Sequence, residues 1–573
     1  MNTENLQRYA YGIVLAACLA FYLPGLFSIP AVDRDESRYA QASRQMLEDR
    51  DFVHIRFQDE PRNKKPVGIY WLQAAVVAAT GTLADKVVWP FRLPSVVGAM
   101  CAVFMTLGLG RRLFDPYTAF WGSLLLASSV LMVVEAHMAT TDAVLLATVV
   151  ASQGALAVIY TRHQAGRSIT WRPGLLFWAA QGIGILIKGP VTPLISILTM
   201  GMLWIWDRRL TWARHLNVLV GLPLAIAIVL PWFLAMGQGV GGSFIGQAVT
   251  EDLLPKLISG HESHGFVPGY YLLLVMATFW PGCFYLLPGL WLAWKDRRDP
   301  ALRFLLAWLV PTWLFFELMP TKLPHYVLPT YPVLALFTAR ALTQAAQGRG
   351  GRLTGWQARV GLVMFSLVLL VFCAGAALLP YVLEARVLPA GILIPAAGAA
   401  LLAAFWRYVR QAYVKGVTVS AVLASAVVIG GILQFVFPAL GAIWPSREIG
   451  RVVAAIEQDR PCADLEIWAV GFDEPSLVFH LGTHTRISSP VQAAERLKEN
   501  PDVLVIVRDQ QAPAFKDHLV KIGGTYRLVD VVRGYDYTKG RRVTLNLFCS
   551  GTALVRSASA HSFTVDASHR NPD

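Results

Sequence analysis

Residues 33 to 39 read Asp33-Arg34-Asp35-Glu36-Ser37-Arg38-Tyr39, only a few positions beyond a long apolar stretch. Carboxylates held at the edge of such a stretch can orient an acceptor or take its proton. Downstream, Arg62-Asn63-Lys64-Lys65 gathers cations suited to an anion such as phosphate. Further out-of-pattern polar groups are Glu135, His137 and Asp142, Lys188 beside Gly189-Pro190, and Lys322, His325 and Tyr326. A later run supplies Glu251, Asp252, Lys256, His261, Glu262 and His264. His261, Glu262 and His264 have the residue types of a divalent-metal site, but three ligands in a Gly-flanked loop do not close one. No cofactor is required by the chain's motifs, and a divalent metal is not expected to be catalytic.

Each of these groups also has a plain structural account. Asp35 and Glu36 suit the N-cap and first turn of a helix, and Asp142 after Thr140-Thr141 suits an N-cap. Lys188 can snorkel at a helix end, and Tyr326 can belong to an interfacial aromatic belt. Their placement in the chain argues for function, because the elements that carry them bring all of them to one side.

Those elements are set by composition. The chain has 573 residues, 55% apolar and 15% charged, with a mean hydropathy of +0.48. Soluble domains carry about 25% charged residues, so much of the apolar surface is expected to face lipid. Six cysteines and this apolar content exclude a disulfide-dense module, a disordered scaffold and a nucleic-acid-binding domain.

Thirteen apolar segments approach the ~20 residues that a spanning helix needs. They run 9–27, 92–110, 117–134, 142–160, 174–187, 190–206, 216–236, 270–294, 302–319, 325–344, 358–380, 388–406 and 417–437. Nineteen Lys and Arg lie in the short loops after the even-numbered spans. Basic residues are retained in the cytoplasm, so the N-terminus reads as cytoplasmic and the C-terminus as external. Loops 28–91 and 237–269 then fall outside. In the first of them, the stretches Tyr39 to Leu47 and Val67 to Ala79 read as interfacial helices.

Residues 445–550 differ in composition and read as an exported α/β domain, with strands near 465–470, 503–507, 526–532 and 543–548 and helices near 446–457 and 491–500. Residues 551–573 read as a disordered tail. In an oxidising compartment Cys462 and Cys549 are expected to pair.

With these residues in view, the chain resembles a known group. The thirteen-span plan, Arg34-Asp35-Glu36-Ser37-Arg38-Tyr39-Ala40, Lys64-Lys65-Pro66, Thr141-Asp142, Ile187-Lys188-Gly189-Pro190 and Thr321-Lys322-Leu323-Pro324-His325-Tyr326 are similar to the bacterial 4-amino-4-deoxy-L-arabinose lipid A transferases. These are membrane glycosyltransferases of the GT-C type, related to the protein O-mannosyltransferases. Two positions depart from the pattern: Lys64 replaces an acid, and His325 replaces a small residue.

The resemblance implies a polytopic inner-membrane enzyme of about thirteen transmembrane helices with a periplasmic α/β domain and a periplasmic active site. It implies transfer of the aminosugar from an undecaprenyl-phosphate donor to lipid A phosphate, by an inverting single displacement. By position, Asp35 is the essential carboxylate and Asp142 a second acid, while Lys65, Lys322 and Tyr326 hold the donor phosphate. Glu36, Arg38, Tyr39, Lys188, Glu251 and His264 support the site. Transfer of another lipid-linked sugar to lipopolysaccharide, glycan or protein is the alternative within the same chemistry. A secondary transporter, the rival of another class, would show internal repeats and midplane charges; here the ionisable groups gather at one face.

Overall fold

The computed structural model describes residues 3–237, 269–349, 355–459 and 465–550. The chain divides into two compact units, Met1–Leu440 and Gly441–Asp573. Cys462, the loop residues Glu251, Asp252, Lys256, His261, Glu262 and His264, and the tail 551–573 lie outside the described residues.

The first unit is helical. It opens with α1 (Thr3–Tyr22), α2 (Asp35–Glu48), the short paired strands β1 (Arg56–Phe57) and β2 (Glu60–Pro61), and α3 (Gly68–Thr80). Then follow α4 (Trp89–Leu113), α5 (Pro116–Ser128), α6 (Val130–Ala136), α7 (Asp142–Gln164), α8 (Arg172–Lys188), α9 (Val191–Asp207) and α10 (Val218–Gly237).

Among the described residues, seven helices are long and apolar enough to cross a membrane, or nine if each of two bent pairs is one span. One bent pair is α5 with α6, which meet at 61°. There the Val130 N–H leaves the helical ladder and donates to the Trp280 carbonyl at 2.9 Å. The other joins Tyr270–Thr278 to Gly282–Lys295 at 112°, where Pro281 lacks the N–H that continuation would need.

Each of the thirteen predicted segments contains helix. The four beyond those nine are α1, whose apolar part is Arg8–Tyr22, the 17-residue α8 and α9, and the 16-residue Tyr331–Ala346. Sixteen residues rise about 24 Å, short of the ~30 Å hydrocarbon thickness. Two of these helices stop short beside polar groups: α8 ends at Lys188, and Tyr331–Ala346 is preceded by a 3₁₀ segment, Pro324–Thr330, that carries His325 and Tyr326.

The helices pack at places where the sequence supplies glycine. A Cβ on Gly98 of α4 would lie 2.8 Å from the Val144 Cα of α7, and one on Gly68 of α3 would lie 2.7 Å from the Leu186 carbonyl oxygen of α8. Only a residue without a side chain lets the backbones come this close. The stretch expected as a first interfacial helix does form α2, but ten of its fourteen residues are buried. It is therefore packed within protein along most of its length. The second expected interfacial helix is α3.

The second unit holds a five-stranded mixed sheet in the order β4 (Arg486–Ser488), β3 (Glu466–Val470), β5 (Val503–Arg508), β7 (Arg541–Ser550), β6 (Tyr526–Asp536). β3 runs parallel to β4 and β5, while β7 is antiparallel to β5 and β6. The central strand β5 is buried on both faces. Leu504 and Ile506 pack toward the helix Pro445–Asp459, and Val503, Val505 and Val507 toward the helices Pro490–Glu499 and Ala512–Lys521. That two-sided burial explains why β5 reads as an unbroken apolar run rather than an alternation. The short strand β4 and the helices Pro475–Leu481 and Ala512–Lys521 were not expected from the sequence.

Candidate active site

Five elements of the first unit end near one another. They are the start of α2, the end of α6, the start of α7, the end of α8 and the 3₁₀ segment before Tyr331.

The start of α2 presents the first acid. Arg34 stands at its N-cap with φ 65° and ψ −111°, a conformation that costs a side-chain-bearing residue of order 1–3 kcal/mol. The next residue, Asp35, is exposed. Glu36 points the other way, into protein. It is fully buried and meets Arg92 in a two-armed pair, Nε to Oε1 and Nη2 to Oε2, both at 2.8 Å. Its oxygens also accept the backbone N–H of Val32 and of Ala139, each at 2.8 Å. The rest of the guanidinium donates to the carbonyls of Leu26, Ile29 and Pro30, so all five N–H groups of Arg92 are used. One buried pair thus fixes the loop that delivers Asp35 and the turn that delivers Asp142. Arg92 was read from the sequence as the first residue of a lipid span, and a charged residue opening an apolar run was the available signal.

The other groups form a second cluster. Asp142 opens α7 with its side chain 8% exposed, and Lys188 Nζ donates to its Oδ1 at 2.6 Å. Thr141 Oγ1 donates to Asp142 Oδ2 at 3.2 Å, and Thr140 Oγ1 to Glu135 Oε2 at 3.3 Å. Between these two acids lies the His325 ring, Nδ1 3.6 Å from Glu135 and Nε2 4.0 Å from Asp142. The Lys188 ammonium stands 5.8 Å from the centre of the Tyr326 ring. Asp35 and Lys65 lie within electrostatic reach of His325, and Asp35 and Asp142 within reach of Tyr39.

Tyr39 and Tyr70 line the side nearest α3, with ring centres 5.3 Å apart. The Arg62 guanidinium covers the Tyr39 ring at 5.2 Å, and its Nε donates to the Tyr70 hydroxyl at 3.3 Å. Burial pushes the Tyr39 phenol well above its ordinary value, so it stays a neutral donor.

The structure therefore brings Asp35, Tyr39, Lys65, Asp142, Lys188 and Tyr326 into one neighbourhood. Glu135 and His325, singled out in the sequence without an individual role, join them, and Glu36 turns inward as a scaffold. Lys322 is buried, with Nζ donating to the Met319 carbonyl at 2.6 Å just past the helix Pro300–Leu318. Arg38 is half-buried on the next turn of α2. Glu251 and His264 fall outside the described residues, and no group of three or more His, Cys, Asp or Glu among the described residues is arranged to hold a metal ion. Chemically, lysines and tyrosines beside acids can grip a phosphate on one side while a carboxylate orients an acceptor on the other.

Residues 10–240 match the dolichyl-phosphate-mannose-protein mannosyltransferase family. An undecaprenyl phosphate-α-4-amino-4-deoxy-L-arabinose arabinosyl transferase of Pseudomonas aeruginosa PAO1 is 31% identical over 432 residues, 73% of this chain and 75% of that protein. A second, from Pseudomonas fluorescens Pf-5, is 32% identical over 361 residues, 61% of this chain and 60% of that protein. In three dimensions the chain is similar to ArnT from Cupriavidus metallidurans bound to undecaprenyl phosphate, with a TM-score of 0.74 at 18% identity over 93% of this chain and 97% of that one. An oligosaccharyltransferase of Archaeoglobus fulgidus shares the fold more distantly, with a TM-score of 0.50 at 12% identity over 87% of this chain and 69% of that one.

Proposed function

The chain belongs to the undecaprenyl phosphate-α-4-amino-4-deoxy-L-arabinose arabinosyl transferases, a family of GT-C membrane glycosyltransferases, and we propose that it moves this aminosugar from undecaprenyl phosphate to a phosphate of lipid A at the periplasmic face of the bacterial inner membrane.

The observation that carries this reading is the convergence of acids and cations from separate helix ends of the first unit, with Asp142 and Lys188 in contact at 2.6 Å and Asp35 exposed at the start of α2. A polyprenyl phosphate keeps its phosphate at the membrane surface and its tail in lipid, and a site at helix ends serves both parts. Lys65, Lys322 and Tyr326 hold the donor phosphate. In the reaction an oxygen of the acceptor phosphate bonds to the anomeric carbon as the bond from that carbon to the donor phosphate oxygen breaks. Undecaprenyl phosphate leaves as a monoester dianion, and the configuration inverts. Lysine charges that grip more tightly as negative charge grows on the leaving phosphate lower the barrier. An acceptor phosphate is already an anionic nucleophile, so Asp35 contacts the cationic sugar, or orients the acceptor through its uncharged groups, rather than removing a proton.

The test is mass spectrometry of lipid A from cells with and without the protein. A pentosamine-sized increment on the phosphates supports the reading, and unchanged lipid A in cells that make the lipid-linked donor overturns it.

A further inference from the structure

His325 occupies a demanding place. Its two ring nitrogens each face a carboxylate, Nδ1 toward Glu135 at 3.6 Å and Nε2 toward Asp142 at 4.0 Å. Both acids are nearly closed to solvent, with side chains 7% and 8% exposed, against 23% for the ring.

A neutral imidazole has one N–H and one lone pair. If both acids were ionised and the ring neutral, one ring nitrogen would turn its lone pair toward a carboxylate oxygen, in surroundings where screening is weak. The repulsion disappears when the group holds one more proton, either as imidazolium or as a protonated carboxyl.

We infer that Glu135, His325 and Asp142 share such a proton, and that His325 is a positioning residue through which this proton sets the charge of the sugar-transfer site. With it, the three groups carry one net negative charge, which Lys188 on α8 balances through its 2.6 Å contact with Asp142. Without it, they carry two. The other charges facing the ring are Asp35 from α2 and Lys65 from the segment before α3. Tyr326, on the same 3₁₀ segment, stacks edge-on at 5.1 Å.

The consequence rests on the transferase reading above. Donor and acceptor both bring phosphate to this place, so losing the shared proton adds a repelling charge. Transfer then falls as pH rises through the ionisation of this group. A group at 325 without an ionisable ring removes that dependence.

Two measurements on the purified full-length protein test this. The first is an infrared titration in which the His325 ring signal is defined as the difference between wild type and His325→Asn. Sharing predicts that Glu135→Gln moves the ring's transition to lower pH by about one unit or more, and an unmoved transition overturns the inference. The second is the pH profile of kcat/KM for transfer from the undecaprenyl-phosphate aminosugar to lipid A. The alkaline fall is expected to disappear or move by about one unit or more in His325→Asn, with a higher KM for the donor, and a superimposable profile overturns the inference. A wild-type protein that transfers nothing would count against the proposed function alone, because the infrared titration needs no turnover.

Discussion

Glu36 and Arg92 meet in a closed pair with neither side chain exposed to solvent, joining the start of α2 to the start of α4 through two hydrogen bonds of 2.8 Å. Glu36 adjoins the exposed acid Asp35 in sequence yet shares none of its surroundings. The pair also holds the backbone on either side of the site, through Val32 and Ala139.

Arg92→Met strands the Glu36 carboxylate in protein and is expected to destabilise the chain by about 3–5 kcal/mol. Thermal unfolding in detergent measures it. Replacing both residues together should cost less than the sum of the two single changes, because the second substitution removes the uncompensated charge left by the first.

Asp35→Asn should behave in the opposite way. Its side chain is exposed, so stability should stay within about 0.5 kcal/mol of wild type. Transfer from the lipid-linked donor should fall by about 100-fold or more, the scale of losing one well-placed orienting or electrostatic group. Wild-type rates in a folded Asp35→Asn protein would remove Asp35 from the reaction.

The Asp142–Lys188 contact separates charge balance from chemistry. Lys188→Met leaves a buried carboxylate beside Glu135 and should lower both stability and transfer. Adding Asp142→Asn should recover much of the stability, since no unpaired charge remains, without recovering transfer. Recovery of both would make the pair structural, and a double-mutant cycle on melting temperature and rate reads the two effects apart.

A fourth expectation concerns the second unit. On β3, Glu466 accepts from Arg496 Nη2 at 2.8 Å and Nε at 3.0 Å, and from Trp468 Nε1 at 2.8 Å. The Arg496 hydrogen bonds, more than any other influence, hold its carboxyl below the usual range. A depressed acid stabilises the fold above its unfolded pKa of about 4.3, and that contribution is lost as pH falls through the lower folded value. The protection of β3 amides, measured relative to their intrinsic exchange rates, should therefore fall as the pH drops below about 4. Glu466→Gln, which has no carboxylate to titrate, should lose this pH dependence.

The sites of helix and strand were legible because burial leaves a periodic or continuous trace. All thirteen apolar segments contain helix, and the run at 503–507 is the central strand of the sheet. Helix ends were less legible. The stops at Lys188 and before Tyr331 depend on where polar side chains find partners in other helices. The short strand β4 has only three residues, too few for an alternation to show.

Sequence by itself determined that the chain is built largely from apolar helices with an appended α/β unit, and it singled out most of the polar residues that meet at the site. Hydrophobic runs and the placement of Lys and Arg are local properties, readable one segment at a time. Tertiary structure alone decided the division of labour among the polar residues. Glu36 and Asp35 are neighbours of the same chemical kind, yet the turn into α2 sends one to Arg92 and leaves the other exposed. His325 acquires its two acids from α6 and α7, about 190 residues earlier in the chain. The role of a buried charge is set by the groups that surround it, and these come together only when distant helices pack.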